Sequence, residues 1–253
     1  MYFTYKKSNN QKDPENLIKG ISINFGFLER CIFKKRNNRF SADIIIDSEV
    51  FSAHVPSSGR MEELLVPGAV VYAAKVDSLN GKLPYKLVIV KSGKELVCID
   101  SLMPNRLIKL ALEKKALPEF FQYNEIIAES VFGESRFDFQ LKRVNCDGVQ
   151  CFIEVKSVTL VEEGVAMFPD APSKRAQKHL KELLKIKKAG FRSCVIFVIQ
   201  RKDAKIFKPN ALQDKKFAEL LKEVYTLGVE LIAYDCIVNF DKITLNKRVP
   251  III

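Results

Sequence analysis

Two periodicities divide this chain. From about residue 21 to residue 92, apolar and polar positions alternate over short runs: FLERCIFKKR, RFSADIIID, VFSAHV, AVVYAAKV and YKLVIVK. Alternation with period two is the signature of half-buried strands. Turn chemistry separates the runs at Asn37-Asn38, at Pro56-Ser57-Ser58-Gly59 and at Asn80-Gly81. A brief helical piece is predicted near RMEELL, between the third strand and the fourth. Five strands with one short helix in that slot predict an OB-like barrel, a frequent platform for nucleic acid. The residues before about 20 are polar, and the pattern leaves them loose.

Beyond residue 93 the element types change along the chain. LMPNRLIKLALEKKAL reads as a helix, and EIIAESVF, SRFDFQL and CFIEVKSV read as three strands. After the loop Pro169-Asp170-Ala171-Pro172 comes a long helix, SKRAQKHLKELLKIKKAG, with Gly190 as its C′ residue. SCVIFVIQR is then a buried strand, DKKFAELLKEVYTLG a helix and ELIAYDCIV a final strand. The order α-β-β-β-α-β, with one more helix and strand, predicts a restriction-endonuclease-like α/β domain. The expected fold is thus all-β followed by α/β, with a barrel over residues 1–92 and the second domain over 93–253.

The chemistry gathers between residues 136 and 158. Alternation places Arg136, Asp138 and Gln140 on one face of their strand and Phe137, Phe139 and Leu141 on the other. Glu154 and Lys156 share a face of the next strand, and Asn145-Cys146-Asp147-Gly148 supplies a turn between the two. A hairpin here brings Asp138 and Glu154 together with Lys156 beside them. Two adjacent carboxylates in an apolar stretch repel each other and are costly to bury unless a cation sits between them. Mg²⁺ or Mn²⁺ suits such a site, since hard cations take carboxylate oxygens and activate water. An Asp followed by Glu-x-Lys on the next strand is the constellation of the PD-(D/E)XK nucleases. The same three residues also suit a plain ion-pair ladder.

Charge adds a partner. Lys and Arg total 41 against 30 acidic residues, a net +11, which favours a polyanion. On the long helix Lys174, Lys178, Lys181, Lys185 and Lys188 recur at steps of four and three, opposite a stripe of Ala176, Leu180, Leu183 and Leu184. Arg175 and His179 lie near its start. Only Glu182 offsets the lysine row, so pairing within the helix does not account for it, and a phosphate backbone does. Arg36 and Arg39 flank the Asn-Asn turn, and Arg60 follows Gly59. Each suits phosphate through its planar fork. Asn105 and Arg106 are placed to cap their helix, and Asp170 to cap the long one. Six cysteines show no Cys-x-x-Cys pair and read as free thiols. No apolar run approaches a membrane span, and the first residues lack a signal-like apolar core.

The runs RNNRFSADI, HVPSSGRMEELLVPG, LPYKLVIV, SLMPNRL, ESRFDF, IEVKSVTLVEEGVAMFPDAPSKRAQKHLKEL and FVIQRKDAKIFKPN resemble the sugar fermentation stimulation protein A family. They extend from about residue 36 to the end of the chain in the expected order. The resemblance implies an OB-like domain joined to a PD-(D/E)XK-type domain, and DNA binding without marked sequence preference. It also implies a role in regulating sugar (maltose) utilisation genes. The family's nuclease-like acids fall on Asp138 and Glu154, and its lysine on Lys156. Two positions depart from the family pattern. Ser173-Lys174-Arg175-Ala176 stands where Thr-x-Arg-Gly is expected. Leu110 stands where relatives often carry Glu, leaving Glu113 or Glu129 as substitutes for a third metal-associated carboxylate.

Together these readings lead to a cytoplasmic, sequence-nonspecific DNA-binding protein with a divalent-metal-dependent phosphodiesterase site. The competing reading is a non-catalytic transcriptional regulator whose acid cluster is a relic. A third, an enzyme acting on a small anionic metabolite, requires a compact basic pocket in place of a continuous basic groove.

Overall fold

The chain enters the structure, a computed structural model describing residues 18, 20–76, 83–144 and 150–253, with a short strand, Ser22–Asn24 (β1). The expected turns at Asn80-Gly81 and at Asn145–Gly148, the polar segment before residue 18, and Cys146 lie outside the described residues. The barrel follows: β2 (Glu29–Asn38), β3 (Ser41–Ile46), β4 (Glu49–His54), β5 (Val70–Lys75) and β6 (Tyr85–Ser92). They pair antiparallel in the order β4-β3-β2-β5-β6, and Ala53-His54 of β4 meets Tyr85-Lys86 of β6 in parallel to close the ring. Closure removes exposed strand edges. The alternating apolar positions, among them Cys31, Phe33, Ile44, Ala53, Val71 and Leu87, fill the interior.

Two features of this part differ from the expectation. The predicted helix at RMEELL is only a single turn, in which Leu64 and Leu65 donate to the Met61 carbonyl. Met61 begins it at φ 49°, and one turn is all the chain needs to plug the barrel with Met61, Leu64 and Leu65. Nor do the two sheets divide the chain at residue 92. β7 (Glu95–Cys98) hairpins onto β6, so the barrel sheet runs past that point. β1, from before the barrel, belongs to the other sheet.

That second sheet is preceded by α1 (Met103–Glu113) and a single 3₁₀ turn, Pro118–Phe120. Then come β8 (Glu125–Phe132), β9 (Ser135–Lys142), β10 (Gln150–Val158), β11 (Val161–Glu162) and β12 (Val165–Phe168). α2 (Lys174–Lys188), β13 (Arg192–Ile199), β14 (Ile206–Pro209), α3 (Lys215–Thr226), β15 (Glu230–Val238) and β16 (Lys242–Arg248) complete it. The sheet order is β1-β16-β15-β13-β10-β9-β8, with β10, β13 and β15 parallel at the centre. The central strands are nearly continuous runs of apolar residues, as strands covered on both faces must be. α1 packs one face through Leu107, Ile108 and Ala111, and α2 and α3 pack the other through Leu180, Leu183, Phe217 and Leu221. β11, β12 and β14 form a small separate sheet, too short per strand to show a period in the sequence.

Local chemistry ends the helices where expected, with one exchange of roles. Gly190 sits at φ 91°, one residue after the C-cap Ala189 of α2, and Phe191 N–H returns to the Ile186 carbonyl. That left-handed position is why a glycine stands there. The cap of α2, however, is Ser173, whose hydroxyl accepts from Ala176 N–H, and not Asp170. Asp170 instead accepts the Met61 N–H at 3.3 Å and so ties the α/β domain to the barrel. Gly59 packs against that carboxylate so closely that a Cβ there would lie 2.5 Å from Asp170 Oδ2.

Candidate functional site

β9 and β10 pair as far as Phe139 opposite Ile153. One step further Asp138 and Glu154 come level, and there the ladder gives way to a side chain. Val155 N–H donates to Asp138 Oδ2 at 2.7 Å, and Asn105 Nδ2, reaching over from α1, donates to Oδ1 at 2.5 Å. On the other flank, Glu129 of β8 drops out of the β8–β9 ladder at the level of Asp138, with φ 56°. This irregularity breaks the expected alternation. Phe137 packs in the cluster under α2 while Phe139 and Leu141 pack under α1, so the three do not share a face. Burial first, and then the charge of Glu154, push the Asp138 carboxyl up to about 6, against the pull of Val155 N–H, Lys156 and Asn105.

Glu154 is 4% exposed. Its Oε1 accepts from Lys156 Nζ at 2.5 Å and contacts His179 Nδ1 of α2. Burial works against its ionised form, but Lys156 and His179 outweigh burial and hold the carboxyl below the ordinary range. Its Oε2 is buried and, among the described residues, without a hydrogen-bond partner. A buried carboxylate oxygen left unpaired is costly, and a hard cation bridging from Asp138 is the partner its chemistry fits. Asp138 and Glu154 would hold that ion, with water or a phosphate oxygen completing its shell.

The proposed third carboxylate is not brought in. Glu113 sits exposed in the last turn of α1, 3.8 Å from Lys109. Glu129 pairs with Arg136 at 2.7 Å, also exposed. Among the described residues no cluster of three His, Cys, Asp or Glu side chains is arranged to hold a metal. Two residues join the site from other elements. Asn105 reads from sequence as a helix cap, but α1 begins at Leu102 without a side-chain cap, and the amide serves Asp138 instead. His179 stands three residues after Ala176 and four before Leu183 of the buried stripe of α2, which was the available sign that it faces inward.

The basic residues form two groups. On α2 the expected stripe of Ala176, Leu180, Leu183 and Leu184 is buried, and Lys174, Arg175, Lys178, Lys181, Lys185 and Lys188 are exposed. Lys178 lies 3.5 Å from Glu134 and Lys185 2.7 Å from Glu182, while Lys174, Lys181 and Lys188 make no ion pair among the described residues. In the barrel, Arg39 and Arg60 are exposed. Arg36 has no donor left for phosphate: its guanidinium binds the carbonyls of Asn38, Arg39, Ser57, Gly59 and Arg60 at 2.5–3.2 Å. It braces the 56–60 loop. Between the barrel and the α/β domain lies a cavity of about 500 Å³, with Arg39, Ser57 and Ser58 on one side and Ser157, Lys174 and Arg175 on the other. Arg60 lines a smaller neighbouring cavity of about 240 Å³, together with Glu62, Glu63 and Asp170.

A closed five-stranded OB barrel followed by a restriction-endonuclease-like α/β domain defines the class. Residues 35–99 match the SfsA N-terminal OB domain, and residues 102–242 match the sugar fermentation stimulation protein RE domain. The chain is 44% identical to a sugar fermentation stimulation protein homolog of Desulforamulus reducens, over 93% of this chain and 97% of that one. A homolog of the same name from Caldanaerobacter subterraneus subsp. tengcongensis is 43% identical over 94% of this chain and all of its own. The chain belongs to the sugar fermentation stimulation protein family. Among solved structures it is similar to Pyrococcus furiosus SfsA in complex with Ca²⁺, with TM-score 0.84 and 32% identity over 91% of this chain and 98% of that one.

Proposed function

We propose that this protein binds DNA without sequence preference and hydrolyses phosphodiester bonds at a site built from Asp138, Glu154 and Lys156, with Mg²⁺ or Mn²⁺ as cofactor. The observation that carries the reading is the unpartnered, buried Glu154 Oε2 level with Asp138 at the point where β9 and β10 separate. The Ca²⁺ held by the Pyrococcus furiosus relative supports a divalent ion here. Such an ion supplies the positive charge that lets both carboxylates ionise together and lowers the pKa of a bound water. Asn105 and Val155 N–H fix the orientation of Asp138, and His179 fixes Glu154. Lys156, held on Glu154, offers its ammonium to the negative charge that builds on the phosphate oxygens. The exposed lysines of α2 and the cations of the interdomain cavity support contact with the DNA backbone. Five buried cysteines, free among the described residues, support a reducing cytoplasm. No helix among the described residues is long and apolar enough to cross a membrane.

A second reading, a non-catalytic DNA-binding regulator of sugar (maltose) utilisation genes, is supported by Glu154 Oε1 already engaging Lys156 and His179. Incubating plasmid DNA with wild type, Asp138→Asn and Glu154→Gln in Mg²⁺ or Mn²⁺ separates the two. Slow cutting by wild type alone is expected, with DNA binding kept or tightened in both variants because a negative charge near the phosphate has gone. Equal cutting by all three, or none under any divalent ion, would leave the regulator.

A further inference from the structure

We infer that the cleft between barrel and α/β domain receives a single, unpaired nucleic-acid strand, with its phosphates on Arg39, Lys174 and Arg175 and a base stacked on Phe40. The inference rests on the DNA-binding reading above and adds the strand form to it. Arg39 and Phe40 form the turn between the first two barrel strands, a loop that OB barrels use to hold oligonucleotides. Here that turn stands against the end of β10 and the start of α2, so each wall of the cavity contributes cations. The serine hydroxyls of both walls suit phosphate oxygens, which position a strand without reading its sequence.

Size decides between strand forms. A cavity of about 500 Å³ is of the size that encloses a small ligand. A duplex, whose major groove alone is about 12 Å wide, has no room in it. The walls are held in place rather than hinged. Arg36 binds the 56–60 loop through the carbonyls of Ser57, Gly59 and Arg60, and Met61 N–H on Asp170 links that loop to the opposite wall. Strand β10 advances ~3.3 Å per residue, so the cavity, lined from Ser157 onward, begins one residue beyond Lys156. A strand lying in the cleft thereby passes beside Asp138 and Glu154.

Phe40 supplies the stacking surface. Phe40 is 50% exposed and directly follows Arg39 of the cavity lining, with its N–H on Asn38 Oδ1 at 2.8 Å and its carbonyl accepting from Val55 N–H at 2.9 Å. A fixed, solvent-facing aromatic beside an arginine is the arrangement on which unpaired bases stack, whatever their sequence.

Fluorescence anisotropy in EDTA tests this with a labelled 15-nucleotide strand of mixed sequence and a blunt hairpin duplex of the same sequence. The single strand is expected to bind at least tenfold more tightly than the duplex. Phe40→Ala should weaken single-strand binding about 5- to 150-fold and leave duplex binding nearly unchanged. Arg39→Ala should weaken single-strand binding and make it less sensitive to salt. Equal or tighter binding of the duplex, or an equal loss on both probes in Phe40→Ala, overturns the single-strand inference and leaves DNA binding standing. Failure of both probes to bind overturns DNA binding itself, and this inference with it.

Discussion

Replacing Asp138 by Asn tests the crowding of the two carboxylates directly. In the native protein burial, then Glu154, raise the Asp138 carboxyl from 3.8 to about 6. The folded state therefore holds that proton more tightly than the unfolded chain does. The stability this contributes is fully present below about pH 4 and is lost as the pH rises through 6. A displacement of that size corresponds to about 3 kcal/mol across the window. The amide introduced by Asp138→Asn does not titrate. It also has one acceptor fewer than a carboxylate, so its oxygen keeps Val155 N–H and Asn105 must turn its amide over to accept from the new NH2; any cost of that exchange does not vary with pH. The stability difference between variant and wild type should accordingly shift by about 3 kcal/mol in the variant's favour between pH 4 and pH 7.5, whatever its starting offset. Urea unfolding in EDTA, with midpoints and slopes recorded at several pH values, measures it. Saturating Mn²⁺ should then stabilise wild type and not Asp138→Asn. A difference that stays flat across the window would mean that Asp138 titrates as an ordinary carboxyl, and the argument for a crowded pair would fail.

Changing Lys174, Lys178 and Lys181 together to Ala should weaken DNA binding by a similar factor on every sequence and lower the salt slope by about one unit per lost contact; unchanged affinity and slope would return that face to solvent. Arg36→Lys should destabilise the protein by about 2–4 kcal/mol, because an ammonium replaces a planar fork that binds five carbonyls; unfolding midpoints equal to wild type would show that the brace is dispensable. A fragment of residues 1–92 lacks β7, so by circular dichroism it should be β-rich but melt well below a fragment ending at residue 101; equal melting would show that β7 adds nothing to the barrel.

Most of the fold was legible because each part keeps one period over long stretches. The strands of the barrel alternate, and α1, α2 and α3 each carry an apolar stripe. Asp138, Glu154 and Lys156 were legible from the expected β9–β10 hairpin, whose register sets Asp138 level with Glu154, with Lys156 two residues on. The features that escaped are all products of tertiary contact. Asn105 lies on a helix far upstream in the chain, and only packing of α1 on the sheet brings it to Asp138. Arg36 reads as a phosphate ligand until the 56–60 loop folds back over it. Asp170 reads as a helix cap until the barrel comes within reach of it. The break in alternation at Asp138 depends on the positive φ of Glu129, a conformation that a glutamate does not advertise. β16 lies beyond the last strand expected from the sequence, and it is pairing with β15 and β1 that holds it in the sheet.

The pairing of β1 with β16 has a consequence for how the chain is made. Ser22 lies opposite Thr244, and the whole barrel is strung between them. At about 5–20 residues per second, synthesis takes on the order of 10–40 s to deliver the second strand after the first has emerged. During that interval the barrel has every residue it needs and can close by itself. Ile21 and Ile23, which finally pack with the α/β core, have nothing to pack against. The edge of the larger sheet is thus the last part of the molecule to form on the ribosome. Until then β1 and the uncovered edge of β15 are the places where a nascent chain is open to chaperones, or to pairing with another copy.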